Sequence, residues 1–121
     1  MTVGDAASVR RCFTAEDVRE LADLGGPTAD PGAVPEPLIG ALFSYLLGMQ
    51  LPGSGANYLK QETRYLKAAP LDQTLTARVE ITRLRPDKHL VDLLTTCRDA
   101  HGVLLAEGRA LIYVADVASR A

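Results

Sequence analysis

The chain has 121 residues, of which 47% are hydrophobic and 23% charged, and its formal net charge is −2 at pH 7. This length suits one domain with a core of its own. The near-neutral charge argues against a nucleic-acid-binding protein, because such domains carry an excess of lysine and arginine. The first residues, MTVGDAASVRRCF, contain no continuous apolar run and predict no secretory signal, so we expect a cytoplasmic protein.

The first predicted element is a helix from about Ala15 to Leu24. Thr14 and Asp17 have the spacing of a capping box, and Phe13 precedes the cap as a hydrophobic staple. The glycine pair Gly25–Gly26 is expected to end this helix. The following segment, PTADPGAVPEP, is rich in proline and glycine and predicts a loop.

A second helix is predicted from Pro35 to about Gly48, with prolines in the first turn, where they are tolerated. After Glu36 the segment PLIGALFSYLLGM carries no charge, and apolar residues occur all the way round the helix. Such a helix has to be enclosed by the rest of the protein. The segment Pro52–Gly55 interrupts the apolar run well short of the ~20 residues that span a membrane, so we predict a core helix and no membrane partner.

The remainder of the chain predicts four strands, within YLKQETRYL, TLTARVEI, HLVDLLTTCRD and GVLLAEGRALIYV. This is enough sheet to wrap one helix. We therefore expect an α+β fold in which residues 1–121 form a single hotdog domain, a curled antiparallel sheet around a central buried helix.

The alternation of residues predicts which side chains face the helix. In the first strand Leu59, Gln61, Thr63 and Tyr65 share the inward face. In the last strand the inward face is rich in small residues: Leu104, Ala106, Gly108, Ala110, Ile112 and Val114. The two cysteines, Cys12 and Cys97, have no metal-binding or CxxC spacing, and we expect reduced, buried thiols. The two histidines, His89 and His101, fall in turns and are expected at the surface.

Several segments resemble the MaoC-like (R)-specific enoyl-CoA hydratases, in order along the chain. The most specific are the LPG after the central helix, the aromatic strand ending at Tyr65, the RLRPDK turn, and the TTC and EGRA strand pair. The resemblance implies a hotdog homodimer that takes an acyl-CoA or an acyl-carrier-protein thioester. We expect no cofactor and no metal.

One segment departs from the family pattern. Family hydratases carry a D-x-N-P-x-H motif before the central helix, whose Asp and His hold the water that adds to the enoyl double bond. Here the segment is shortened to GPTADPGAV, and Pro35-Glu36 stands where many relatives have His-Gly. No family catalytic residue therefore carries over, and we expect hydratase activity to be weak or absent.

Two carboxylates near the expected mouth of the site, Asp30 and Glu36, are the candidate catalytic residues. A partly desolvated Glu36 can act as a general acid or base. The alternative interpretation places Asp30 in a loop turn and lets Glu36 complement the helix dipole.

The candidate substrate-binding residues are Gly40, Tyr45, Gln61, Thr63 and Tyr65. Each also has a structural interpretation. Tyr45 can bond a backbone group, the three strand residues can form a satisfied interior network, and Gly40 can permit close helix–sheet packing.

Three functions remain open at this point. The first is a hydratase-like or dehydratase-like enzyme re-equipped for another biosynthetic reaction. The second is a non-catalytic subunit in a heterodimer with an intact MaoC-like protein. The third is a binding protein for an acyl thioester or a related small molecule. A polar pocket ending at Glu36 favours the first, and a pocket filled by Phe43, Tyr45 and Met49 favours the second.

Overall fold

The framework of the molecule is one antiparallel sheet with a long helix packed on it. The computed structural model describes residues 1–23 and 32–115. Its strands are, in chain order, β1 (Ala6–Cys12), β2 (Ala33–Val34), β3 (Ala56–Tyr65), β4 (Ala69–Pro70), β5 (Thr74–Arg85), β6 (Leu90–Arg98) and β7 (Leu104–Val114). The main sheet has five strands in the order β1–β5–β6–β7–β3, and β2 pairs with β4 beside it. The predicted α+β class is confirmed.

The two α-helices lie where the sequence predicts them. Helix α1 spans Ala15–Asp23 and helix α2 spans Glu36–Met49. The predicted capping box is present, because Thr14 N donates to Asp17 Oδ2 at 2.8 Å and Asp17 N donates to Thr14 Oγ1 at 3.3 Å. The expected stop at Gly25–Gly26 lies outside the described residues.

The core lies between α2 and the concave face of the sheet. The four apolar residues that alternate along β5, Leu75, Ala77, Val79 and Ile81, are completely buried. Helix α2 contributes Ile39, Leu42, Phe43, Leu46 and Leu47. Its backbone comes near β1, β5 and β3 and scarcely approaches β6 or β7. The sheet therefore curves beneath the helix, with β6 and β7 at the bottom of the trough.

The helix is not enclosed on every side, contrary to the sequence prediction. One face of α2 is open to solvent within this chain, and on it Tyr45 is 47% and Met49 is 72% exposed. The sheet of a single chain covers only one side of the helix. Neither of the described helices is long and apolar enough to cross a membrane.

Three strands, β1, β2 and β4, were not predicted. β1 pairs with β5, but its sequence AASVRRC lacks alternation because, as an edge strand, it exposes residues such as Arg11 to solvent. β2 lies in the segment predicted to be a loop. There the buried pair Ala33 and Val34 forms a short ladder with Ala69 and Pro70.

A β-bulge at Leu59 changes the predicted faces of β3. The register shifts between Tyr58, opposite Ile112, and Lys60, opposite Leu111. Tyr58 therefore faces the helix, whereas Leu59, which was predicted to do so, is exposed. A second irregularity opposite the end of β6 buries Leu105 in place of the predicted Leu104.

The cysteines differ in environment. Cys97 is buried as expected, whereas Cys12 is exposed, because it ends the edge strand β1. Both histidines are exposed at turns, as predicted.

Candidate functional site

The first turn of α2 is joined to the end of β3 by a tyrosine. Tyr65 Oη donates a hydrogen bond to the Glu36 carbonyl oxygen at 3.3 Å. A Cβ atom at Gly40 would lie 3.8 Å from the same hydroxyl. Burial raises the pKa of Tyr65 above its ordinary value of 10.0, and the negative charges of the Glu36 carboxylate and of the Cys97 sulfur, when it is ionised, raise it further. The phenol is thus held protonated, as a hydrogen-bond donor.

A second tyrosine joins the two elements near the other end of the helix. Tyr58 Oη donates to the Ser44 carbonyl oxygen at 3.2 Å. Between the two tyrosines, Gln61 is exposed and Thr63 is half-buried. We call this region, framed by Tyr58, Tyr65 and the helix segment 36–44, the α2–β3 opening.

The structure brings together most of the residues singled out from the sequence. Glu36, Gly40 and Tyr65 meet at the start of α2, and Gln61 and Thr63 lie on the same strand face as Tyr65, opposite Ala110 and Gly108. Their roles stay predictions.

Of the two other singled-out residues, one lies elsewhere and one is outside the described part of the chain. Tyr45 is on the exposed face of α2, where its hydroxyl accepts a hydrogen bond from Gln50 Nε2 at 3.3 Å. Asp30 lies outside the described residues, as does most of the shortened segment before the helix.

The start of α2 offers one backbone donor. Pro35 precedes the helix and Pro37 follows Glu36, so neither supplies an N–H group, and Leu38 N donates to the Pro35 carbonyl at 3.0 Å. The Glu36 N–H has no acceptor within its own helix and lies at the positive end of the helix dipole. It can bind an oxygen that carries partial negative charge.

No histidine is placed at this site. His89 follows a 3-10 turn at Pro86–Lys88, and its ring centroid lies 5.7 Å from that of Tyr113. His101 is exposed in the turn between β6 and β7, where its backbone N–H is bonded to Asp99. Across the two described ranges, no cluster of three or more His, Cys, Asp or Glu residues could hold a metal ion.

Two features at the bottom of the trough escaped sequence reasoning. Thr95 is completely buried on β6. A side chain at Gly108, opposite it on β7, would overlap the Glu62 carbonyl oxygen, so this position requires glycine. The signal for Thr95 was available, since a polar residue interrupts the otherwise apolar inward positions of HLVDLLTTCRD.

A curved antiparallel sheet packed on one apolar helix is the architecture of a hotdog protein. No family model matches the chain. The (R)-specific enoyl-CoA hydratase of Rhodospirillum rubrum is 31% identical over 126 residues, covering 92% of this chain and 86% of that protein. The chain belongs to the (R)-specific enoyl-CoA hydratase family.

Two further comparisons agree. The (R)-specific enoyl-CoA hydratase of Aeromonas caviae is 40% identical over 75 residues, covering 62% of this chain and 56% of that protein. A solved structure of an (R)-hydratase from A. caviae involved in PHA biosynthesis superposes with a TM-score of 0.84 at 32% identity. It covers 94% of this chain and 97% of that one.

Proposed function

We propose that this chain binds an acyl thioester in the α2–β3 opening, with the thioester carbonyl at the start of α2, and that its activity as a hydratase is weak or absent. The observation that carries the proposal is the junction of Tyr65 with Glu36 and Gly40. The first turn that Tyr65 holds carries the Glu36 N–H, which has no acceptor within its own helix, and Gly40 has no side chain to fill the space beside the Tyr65 hydroxyl.

The backbone geometry supports the placement of the carbonyl. A thioester oxygen gains negative charge when the adjacent carbon is deprotonated, and a fixed N–H group in a helix first turn stabilises such an oxygen. The Glu36 N–H meets this requirement. The Tyr65 hydroxyl keeps the first turn in position through its bond to the Glu36 carbonyl.

The side chains at the start of α2 support the proposal that hydratase activity is weak or absent. Adding water to an enoyl thioester needs a base for the water and an acid for the α carbon, and such groups contribute about 10²–10⁴-fold to the rate. The Glu36 carboxylate is solvent-exposed in this chain, and both histidines lie in turns. These positions favour acyl-thioester binding, or another reaction of a bound acyl thioester, over hydration.

The exposed surfaces support assembly of two chains along β3. Among the described strands β3 is an edge of the main sheet, and the outer backbone groups of an edge strand can pair with a second strand. Next to it are exposed large hydrophobic residues from α2 and β3: Tyr45, Met49, Tyr58 and Leu59. We propose a homodimer, and a heterodimer with an intact MaoC-like hydratase is the alternative.

Ligand binding is tested first, by thermal melts of the protein with short, medium and long acyl-CoA and acyl-pantetheine ligands. Free CoA serves as the ligand control. We expect a rise in melting temperature with the acyl ligands.

Gly40→Leu should remove that rise, because the leucine side chain would reach the Tyr65 hydroxyl. Gly48→Leu is the matched control, since a Cβ atom there would meet nothing within 4 Å. A wild-type protein stabilised by none of the ligands would refute acyl-thioester binding.

Hydration is tested separately with crotonyl-CoA in a spectrophotometric assay. The A. caviae or R. rubrum hydratase serves as the positive control. We expect a rate at least about 10²-fold below that of the control. Rapid, stereospecific formation of the (R)-hydroxy product would overturn this part of the proposal.

A further inference from the structure

A hydroxyl group is buried without a partner beneath α2. Of the polar and charged residues that the structure describes, Thr95 is the one with no exposed surface. Its Oγ1 atom forms no hydrogen bond with any described group. A buried hydroxyl that lacks a partner destabilises the folded chain, because it has given up its bonds to water. Such a group therefore calls for an explanation.

Thr95 lies in one row with Gly108 and Thr63. The register places Thr95 of β6 opposite Gly108 of β7, and Gly108 opposite Thr63 of β3. All three are on the face of the sheet that α2 covers. Adjacent strands are about 4.8 Å apart, and Thr95 is two strands away from Thr63. The distance between these two residues, measured across the sheet under the helix, is therefore roughly 10 Å.

The strand β7 contributes only small residues around this row. Gly108 has no side chain and cannot acquire one, because a Cβ atom would overlap the Glu62 carbonyl. Its neighbours on the same face of β7 are Ala106 and Ala110. The backbone of α2 scarcely approaches β6 and β7. Two independent observations, the stripe of small residues and the unpartnered hydroxyl beside it, therefore indicate the same place.

We propose that the Thr95 hydroxyl is a specificity determinant, which hydrogen-bonds an oxygen on the acyl chain of the ligand, so that the preferred ligands are acyl thioesters bearing a hydroxyl or keto group away from the thioester. This inference rests on the proposed acyl-thioester site. With the thioester at the start of α2, the acyl chain enters at the α2–β3 opening and extends over Gly108. The recognised oxygen then belongs to the distal part of the chain, because Tyr65, and not Thr95, lies beside the first turn of α2.

The matched substitutions are Thr95→Val and Thr96→Val. Valine has nearly the shape of threonine but no hydroxyl. Thr96 is the adjacent residue on the opposite face of β6, away from the helix, and is partly exposed. Each protein is titrated calorimetrically with octanoyl-CoA, with hydroxyoctanoyl-CoA isomers carrying the hydroxyl from the middle of the chain to its end, and with the corresponding keto compounds.

We expect the wild-type protein and Thr96→Val to bind at least one oxygenated ligand about five- to tenfold more tightly than octanoyl-CoA, as one added hydrogen bond implies. Thr95→Val should lose that preference while keeping its affinity for octanoyl-CoA. Its melting temperature without ligand should be equal to or above that of the wild type, because an unpaired hydroxyl has been removed.

Two results would overturn the inference. Equal affinity of the wild type for all octanoyl ligands would do so, and the acyl-thioester site itself would then stand. A preference that persists in Thr95→Val would assign the recognition to another residue. If no acyl ligand binds to the wild type, the proposed function fails, and this inference fails with it.

Discussion

Tyr65 and Glu36 are joined by a hydrogen bond of 3.3 Å from the phenol to the backbone carbonyl, although one residue ends a strand and the other begins a helix. The bond attaches the edge of the sheet to the first turn of α2. It orients a backbone rather than a side chain, so the Glu36 carboxylate stays free for solvent or ligand.

The first prediction is a loss of stability at alkaline pH that depends on Tyr65. The folded state raises the pKa of this phenol above 10.0. Above pH 10 the unfolded chain loses the phenolic proton while the folded chain keeps it. The unfolded state then binds fewer protons, so stability falls as the pH rises. Urea unfolding of wild type and Tyr65→Phe from pH 8 to 11 should show a smaller decline in the variant.

Tyr113→Phe is the control for this experiment, because Tyr113 lies on the outer face of β7. The stability of this variant should fall with pH as much as that of the wild type. Identical pH dependence of Tyr65→Phe and wild type would contradict the role given to the buried phenol.

The second prediction contrasts two glycines. Gly108→Ala should destabilise the protein by about 1–3 kcal/mol or more, because the new methyl group would overlap a backbone carbonyl that cannot rotate away. Gly40→Ala should stabilise it by about 0.5–1 kcal/mol, since Gly40 is inside a helix and a Cβ atom there makes an ordinary contact. Chemical denaturation measures both. Equal effects of the two substitutions would show that β3 and β7 do not approach as closely as described.

The third prediction concerns the thiols. Burial raises the pKa of Cys97 from 9.0 to about 11, whereas Cys12 is exposed. Since thiolates are the reactive form, Ellman's reagent at pH 8 should modify Cys12 in the native protein and Cys97 only after unfolding. Cys12→Ser should therefore show no rapid reaction until denaturant is added. A fast reaction of native Cys12→Ser would mean that the core around Cys97 opens readily.

The fourth prediction concerns assembly. Met49→Lys adds a charge to the exposed face of α2 beside β3, and it should cause dissociation with little loss of fold, because Met49 is already 72% exposed in a single chain. Val3→Lys is the control, since Val3 is similarly exposed but lies before β1. Light scattering coupled to size exclusion should give a dimer for wild type and Val3→Lys. A wild-type monomer at all concentrations would reject the proposed assembly.

The sequence predicted the elements whose signals are local and strong. The limits of α2 follow from its prolines and its uncharged run, and the buried face of β5 follows from strict alternation. β1 was missed because an edge strand with two arginines has no alternation to detect. The exposed face of α2 was missed because an apolar helix surface can be covered by the same chain or by another. The sequence cannot distinguish these two cases.

One part of the site could be predicted from the chain order, because the strand that follows α2 has to run back along it. That return brings the end of the strand to the start of the helix, and so brings Tyr65 to Glu36 and Gly40. The position of Thr95 beneath the helix requires the pairing register of three strands, which no single segment specifies. The roles of Tyr58 and Leu59 depend on a bulge, and an extra residue in a strand leaves little trace in the alternation of a short, mostly polar segment.

The β-bulge at Leu59 determines which sequence changes β3 can accept. Tyr58 and Tyr65 are an odd number of residues apart, so in a regular strand they would lie on opposite faces. Because Leu59 is an extra residue, both face the helix and both can bond its carbonyls. Deleting Leu59 would leave Tyr58 and Tyr65 an even number of residues apart, so a regular strand would still turn both towards the helix, with Tyr58 opposite Ile112 as before. The bulge thus accommodates an exposed leucine outside the core, and both the substitution and the removal of Leu59 should leave the two tyrosines bonded to the helix, whereas forcing Leu59 into the regular ladder would turn one of them outward.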